Sequence, residues 1–590
     1  MHVPIESIAQ QSARRPLSEV AASLSNSPVF AYSTVLIVQL RMIWKIGRYK
    51  DLTTGDTCSY FDYAWHWSAS HQFTNIIYSP LYTVFYGTMI SFCHDAFAAT
   101  ILHRVIIVMI STALVLAVMR QLLPSTAAWF VAVWWAVVPI HFDAWCEVHQ
   151  FVVIPVLAAW LVAARPNAGP WTRGCTLALL TATTVLVRYE IAIALGVLGI
   201  YCLWTELGAM RRDFSLATSV KLLCGYLIPL LIVISIIAWF FDHSLLSLSE
   251  AMAMLHDKQT TTMAQWYAFG YQQRHPEWTK IPWDDYRELS SRIFGVADPT
   301  IPLMLRGNGA ELLSHIGWNY RQVPTGLQLS LFNCAAGSIN PDIRLNNVGR
   351  PVAWVWSALV ILAVIVGAGF WRFRSPAMRT RLNRRRFGWF TLFATLAAAP
   401  LMLITSPPRP EIFFCQSLVL MALIGLAMAI IAENLPRRPW LAFAVPIALA
   451  AILVFEPFDY RHIEPQSQPL RKAYERLRPY ESLIDRPGVV TLYSRWELKH
   501  YIGHGDNVGV VYDDLISDWP SQESLAAALD RRRIDLFFLD RNGMRRFDLS
   551  HPGAIQIFID KAEKRGWTPL HCEPYPGARW MLFQRIRSPH

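Results

Sequence analysis

The chain has 590 residues, 54% of them hydrophobic and only 16% charged, where soluble domains carry roughly 25% charged residues. Its apolar residues are not mixed evenly but gathered into runs such as Val105–Val118, Leu222–Phe241, Val352–Trp371 and Phe387–Ile404. These lie in windows near the ~20 residues that span a bilayer core, which excludes an ordinary soluble globule.

The net charge of +11 does not point to nucleic acid. Arg372, Arg374, Arg379, Arg381, Arg384, Arg385 and Arg386 crowd one short linker between two apolar runs, where the positive-inside rule places basic residues. The nine cysteines contain no Cys-x-x-Cys, so neither a disulfide framework nor a zinc site follows. The first 28 residues lack the short apolar core and small-residue cleavage site of a signal peptide, so the first apolar run reads as a retained helix.

Taken in chain order, residues 1–28 form a cytoplasmic tail and residues 29–456 a transmembrane domain. The first helix, near 29–45, is a poor span, because Gln39, Arg41 and Lys45 interrupt it. A first large outer loop covers 47–100. Helices follow near 103–121, 126–140, 151–164, 174–187, 191–205 and 221–241. A second outer loop, rich in Trp, Tyr and Pro, covers 242–350, and helices near 351–371, 387–405, 411–432 and 440–456 complete about 11 spans. The strongly basic linkers then share one side, and the C-terminus lies on the other. Residues 457–590 read as a small extracytoplasmic α/β domain. Val489–Tyr493, Val508–Tyr512 and Ile534–Leu539 are its expected strands, and Ser521–Arg532 and Ala554–Arg565 its helices.

Four places could carry chemistry. The first outer loop runs Asp56-Thr57-Cys58-Ser59-Tyr60-Phe61-Asp62, then Tyr78-Ser79-Pro80-Leu81-Tyr82. An acid near low dielectric can work as a general base; it can equally be a solvated loop acid beside an interfacial aromatic belt. His141, Asp143, Glu147 and His149 fall within nine residues but match no set metal spacing, which leaves substrate contact by Glu147, a divalent metal, or a plain interfacial loop. Arg188-Tyr189-Glu190 lies between two short helices; it is either an ion pair fixing the turn or a pair of charges facing a wet cavity. Arg409, in Pro407-Pro408-Arg409-Pro410-Glu411, sits at an outer helix boundary, where it is an interfacial arginine or a phosphate clamp. There is no Walker-type or Gly-x-Ser-x-Gly motif.

An acid after the first helix, a Tyr four positions on and a Pro-Leu-Tyr some twenty residues later resemble the polyprenyl-phosphate-sugar-dependent glycosyltransferases of the GT-C superfamily. The aminoarabinose and galacturonic acid transferases and the protein O-mannosyltransferases belong to it. The plan of loops, helices and end domain is similar too. The resemblance implies an inverting hexosyl or pentosyl transferase in a bacterial inner membrane, with a polyprenyl-phosphate-linked sugar as donor and an envelope lipid, glycan or protein as acceptor. It implies Asp56 as catalytic base, with Tyr60, Asp62, Tyr82, Glu147, Arg188, Glu190 and Arg409 around the substrates, and no cofactor beyond a possible divalent metal. Two departures stand out. Asp56 is followed by Thr57 rather than a second acid, and Tyr189 replaces the proline of an Arg-Pro-Glu. Two other readings stay open: a transporter or flippase for lipid-linked saccharides, and a non-enzymatic assembly protein.

Overall fold

The structure is a computed structural model. It describes residues 26–54, 56–138, 147–211, 215–331, 374–409, 412–434, 445–451, 468–502, 508–511 and 524–586, with a few positions between 361 and 371 and at 515 and 519. The chain divides into two compact units, one of Met1–Ile46, Asn75–Tyr82 and Arg104–Ile463, the other of Gly47–Thr74, Thr83–His103 and Glu464–His590.

Among the described residues, six helices are long and apolar enough to cross a membrane: Pro28–Arg48, Ala96–Leu122, Tyr189–Met210, Leu216–Asp242, Arg386–Thr405 and Phe414–Glu433. Two apolar helices, Ser125–Val137 and Glu147–Ala163, are shorter. The expected count of about 11 spans is not confirmed among the described residues; two of the expected runs, 351–371 and 440–456, lie largely outside them.

In the first unit, Pro28–Met42 starts as its sequence dictates. Ser27 caps the Phe30 N–H, and Pro28 takes the first helical position, where its missing N–H costs nothing. Gln39, which had argued against a span, is fully buried and accepts a hydrogen bond from Thr112 Oγ at 2.8 Å. A polar residue in a spanning helix is tolerated when it faces a partner inside the bundle. Pro170–Leu186 and Leu216–Asp242 cross at two glycines. A Cβ on Gly174 would lie 2.0 Å from the Gly225 carbonyl, so only glycine permits this approach. Phe414–Glu433 is buried along most of its length.

The segment expected as a second outer loop contains the helices Leu248–Arg274, Pro282–Phe294, Ile301–Arg321 and Val323–Leu331. The signals were local: a capping box joins Ser247 to Glu250, and Pro282 opens a helix whose first turn carries Asp284 and Asp285 and which ends at Gly295 with φ 77°. The first expected loop is likewise helical over Asp56–Ser70 and Pro80–Cys93.

The second unit contains a five-stranded sheet of β1 (Val490–Tyr493), β2 (Val508–Val511), β3 (Leu536–Asp540), β4 (Trp567–Cys572) and β5 (Trp580–Arg585), ordered β2-β1-β3-β5-β4. β1 pairs in parallel with β2 and β3, while β5 runs antiparallel to β3 and β4. Leu492, Phe537, Phe547, Phe558, Trp567 and Phe583 fill its core.

The early part of the chain is built into this unit. The Asp51 carboxylate accepts hydrogen bonds from the backbone N–H groups of Leu470 (2.8 Å) and Arg471 (2.7 Å), and so caps the helix Pro469–Leu477 from a distant segment. Gln468 donates to the carbonyls of Gly47 (2.6 Å) and Lys50 (2.7 Å), and Arg478 pairs with Asp95 at 2.9 Å. Burial pushes the Asp51 carboxyl above its ordinary range, although these N–H groups pull the other way. A neutral acceptor of the same shape therefore fits the position. Asp51→Ala is expected to cost ~1–2 kcal/mol, as helix caps do, and Asp51→Asn much less. Thermal unfolding and proteolysis near Pro469–Leu477 check the order; equal losses in both variants contradict it.

Candidate functional site

The sequence candidates divide between the two units. In the second unit, Asp56 opens the helix Asp56–Ser70, and its side chain lies outside the described residues. Tyr60 is buried, its ring edge-on to Tyr63 at 6.4 Å. Phe61, one position on, packs on Tyr501 at 4.7 Å, and the Tyr501 hydroxyl donates to the Thr53 carbonyl at 2.9 Å. The Asp62 carboxylate stands between two imidazoles, with His66 Nε2 at 3.6 Å from one oxygen and His500 Nδ1 at 3.6 Å from the other. His500 was not foreseen; 438 residues separate it from Asp62, and no local pattern marks it.

In the first unit, several distant segments meet. Ser79 Oγ donates to the Val187 carbonyl at 2.7 Å, which ties the Tyr78–Tyr82 motif to the residue before Arg188. Tyr82 is fully buried, 5.3 Å from the Phe151 ring. Lys258 places its ammonium 3.5 Å from the centre of the Tyr78 ring, a contact that cation–π attraction favours. Arg188 grips Glu190 with two hydrogen bonds, one from Nε at 3.0 Å and one from Nη2. That is the local ion pair, and it also keeps both charges together near apolar surroundings. Arg188, Glu190, His149, Met402, Ile412 and Gln416 are among the residues around one cavity of about 30 Å³. Such a space holds roughly one water, whereas ligand pockets run to ~300 Å³ or more.

Glu147 is buried and held by Arg104, whose Nε and Nη2 each lie 2.5 Å from its Oε1. His141 and Asp143, the other proposed members of that loop cluster, lie outside the described residues. Among the described residues no group of three His, Cys, Asp or Glu side chains is placed to hold a metal.

Arg409 lies over the Trp266 ring, 4.9 Å from its centre, which holds a planar guanidinium in a set orientation. Glu411 lies outside the described residues. The helix Ile301–Arg321 supports the segment just before Arg409. Asn319 donates to the Leu403 carbonyl at 2.9 Å, Tyr320 to the Pro400 carbonyl at 2.9 Å, and His315 Nε2 lies 3.4 Å from the Thr405 carbonyl. These carbonyls belong to the helix Ala399–Thr405; its C-cap Ser406 N–H serves only the Met402 carbonyl, which leaves those of Leu403 and Thr405 to Asn319 and His315. Sequence reasoning named Arg409 but missed this support, because His315 and Asn319 stand about ninety residues away.

No family model matches the chain, and no curated protein matches it. Among solved structures it is similar to the Archaeoglobus fulgidus oligosaccharyltransferase in its apo form, at 11% identity and a TM-score of 0.40, covering 87% of this chain and 69% of that one. The same enzyme in complex with Zn and sulfate gives 12% identity and a TM-score of 0.41, covering 87% of this chain and 68% of that one. ArnT from Cupriavidus metallidurans, bound to undecaprenyl phosphate, gives 13% identity and a TM-score of 0.36, covering 95% of this chain and 97% of that one. These are proteins of the superfamily that the sequence resembles. At scores of this size the likeness bears on neither the reaction nor the site of this chain.

His315 gives the region a pH dependence. Burial, and then the nearby Arg274, holds its imidazole well down, at about 4. Its unfolded value is about 6.5, so between the two the unfolded chain carries the extra proton. The stability of this region is therefore full above about pH 6.5 and is lost as the pH falls toward about 4, by at most ~1.4 kcal/mol per pH unit. Melting of the purified protein at pH 7.5 and 5 is expected to show a larger drop in the wild type than in His315→Gln. Identical drops contradict the assignment.

Proposed function

We infer that the protein is an inverting membrane glycosyltransferase that takes a sugar from a polyprenyl-phosphate donor and passes it to an envelope lipid, glycan or protein. One observation supports the reading most. In the first unit the Tyr78–Tyr82 motif is hydrogen-bonded through Ser79 to the carbonyl preceding Arg188, so two separately recognised motifs share one place. The assignment of Asp56 rests on the sequence resemblance. In the reaction an acceptor hydroxyl gives its proton to the Asp56 carboxylate as its oxygen attacks the anomeric carbon. The bond from that carbon to the phosphate oxygen breaks, and the polyprenyl phosphate leaves with the electron pair. A guanidinium at Arg409, steadied on Trp266, offsets the charge that develops on the phosphate. Arg188 is held by the Glu190 carboxylate. Because the cavity beside Arg188 holds roughly one water, a sugar entering there must displace the segment that carries Met402, Ile412 and Gln416. The donor is already activated as a glycosyl phosphate, so no nucleotide site is needed. We place the enzyme in a bacterial inner membrane, with the arginine-rich linker inside and the C-terminus outside, on the bias of its basic linkers.

Asp56→Asn keeps the shape and removes the base, so turnover is expected to fall by ~10²-fold or more, and Asp62→Asn to cost much less. Mass spectrometry of envelope lipids and glycans from a deletion strain identifies the product, and complementation with each variant reads its activity. Normal glycosylation by an Asp56→Asn protein that inserts normally sinks the base assignment. A deletion strain with unchanged lipids and glycans sinks the transferase reading and leaves transport or assembly.

Arg409→Lys keeps the charge but loses the planar fork, so it is expected to be partly defective, and Arg409→Ala more so, in both donor binding and turnover. Binding of polyprenyl phosphate to the purified proteins in nanodiscs tests this, and wild-type affinity and turnover in Arg409→Ala contradict it.

A further inference from the structure

The arginine-rich linker does more than mark a membrane face. Its helix Pro376–Arg384 and the residue after it wall a cavity of about 650 Å³, together with Pro124, Pro166 and Glu433. Three spanning helices, Ala96–Leu122, Arg386–Thr405 and Phe414–Glu433, end or begin within two residues of this wall. Arg381, Arg384 and Arg385 line it, against the single carboxylate of Glu433.

What these three arginines bond to is informative. Arg381 donates to the carbonyls of Arg120 and Leu122, both at 3.2 Å, and to that of Leu123. Arg385 donates to the Ala164 carbonyl at 3.0 Å. The Arg384 side chain makes no hydrogen bond or ion pair among the described residues. Carbonyls satisfy guanidinium N–H groups but do not neutralise them. No ion pair joins Glu433 to the three arginines; its carboxylate accepts instead from the Ser375 N–H at 3.4 Å. Burial, and then Arg385, pulls Arg381 down to about 10, and burial lowers Arg385 too. The cluster is short of negative charge.

A second cavity, of about 480 Å³, shows the contrast. There Arg173 pairs directly with Glu206, and Tyr226 donates to the same carboxylate at 2.8 Å. That site supplies its own anion.

We propose that the cavity walled by Arg381, Arg384 and Arg385 binds the phosphate headgroup of an anionic phospholipid. A lipid fits better than free phosphate. The cavity stands at the ends of spanning helices, where a headgroup lies while its chains stay in the bilayer, and Pro124, Pro166, Pro376, Ala377 and Met378 give it an apolar wall. Basic clefts between spanning helices hold anionic headgroups in this way. The site is independent of the proposed transfer reaction, since it contains none of the residues assigned to it.

The test uses the full chain, purified in detergent and placed in nanodiscs of phosphatidylcholine, alone or with phosphatidylglycerol or cardiolipin. Native mass spectrometry then counts retained lipid. Wild type is expected to retain the anionic lipids over phosphatidylcholine. Arg384→Ala, which breaks no hydrogen bond, is expected to weaken that retention about fivefold, the size of one cation at a membrane surface, and Arg384→Glu to abolish it. Arg211→Ala, an exposed cation at the end of another span, is expected to change nothing. Equal retention of neutral and anionic lipid, equal retention by wild type and Arg384→Ala, or an equal loss in Arg211→Ala overturns the proposal. So does displacement of the lipid by millimolar inorganic phosphate, which would make the site one for the free anion.

Discussion

A helix that ends in apolar surroundings leaves carbonyl groups with no water to bond to, and each one left bare costs free energy. The first unit meets this constraint repeatedly with side chains from elsewhere in the sequence. Arg381 and Arg385 close the ends at Leu122, Leu123 and Ala164. Asn319 closes the end at Leu403. Ser79 serves Val187, and the Trp134 indole serves Leu331 at 2.7 Å. Each bond fixes a break between helices, and the breaks are where the charged and aromatic candidates lie. Satisfying the backbone and shaping the site are thus one task in this bundle.

The second unit solves a different problem with the same chemistry. Its helix Pro469–Leu477 begins at Gln468, which has no side-chain cap of its own and sits at φ 47°. Asp51 supplies the missing acceptor, and Arg471 lays its guanidinium over Phe97 at 3.9 Å. The helix that carries Asp56 is therefore anchored in a folded body rather than in a free loop.

Much of this was legible in the sequence. The long apolar runs, the strands β1 to β3 and the two helices between strands follow from periodicity and turn residues, while the parallel pairing of β1 with β2 and β3 comes from the structure. What escaped has identifiable causes. β4 contains Pro569 and an irregular register beside it, which blurs the alternation of a strand. The helix Arg541–Ser550 opens on Asn542-Gly543, a turn signal, yet Gly543 is there because a Cβ would come within 2.7 Å of Ser494. The two large outer loops were read by their place between apolar runs, and the helices within them, such as the one capped by Ser247 and Glu250, were not read out. For the site, residue identity pointed to Arg188 with Glu190 and to Arg409, but contacts with distant segments could not be read. Lys258 beside Tyr78, Trp266 under Arg409 and His500 beside Asp62 are brought there by tertiary folding alone, which leaves no trace at short spacing.

The bond from Asp51 to the Leu470 N–H joins residues 419 apart. At ~5–20 residues per second a ribosome needs about 20 to 80 seconds to cover that distance. Throughout that interval the segment around Asp51 and the helix beginning at Asp56 have been made, while the strands and helices that complete their unit have not. The early segment must wait for its partners until nearly all the residues up to Ile463 have been made. Completion of this unit thus acts as a timer on biogenesis: a chain that stalls anywhere in its later spans leaves the segments Gly47–Thr74 and Thr83–His103 without the rest of their unit.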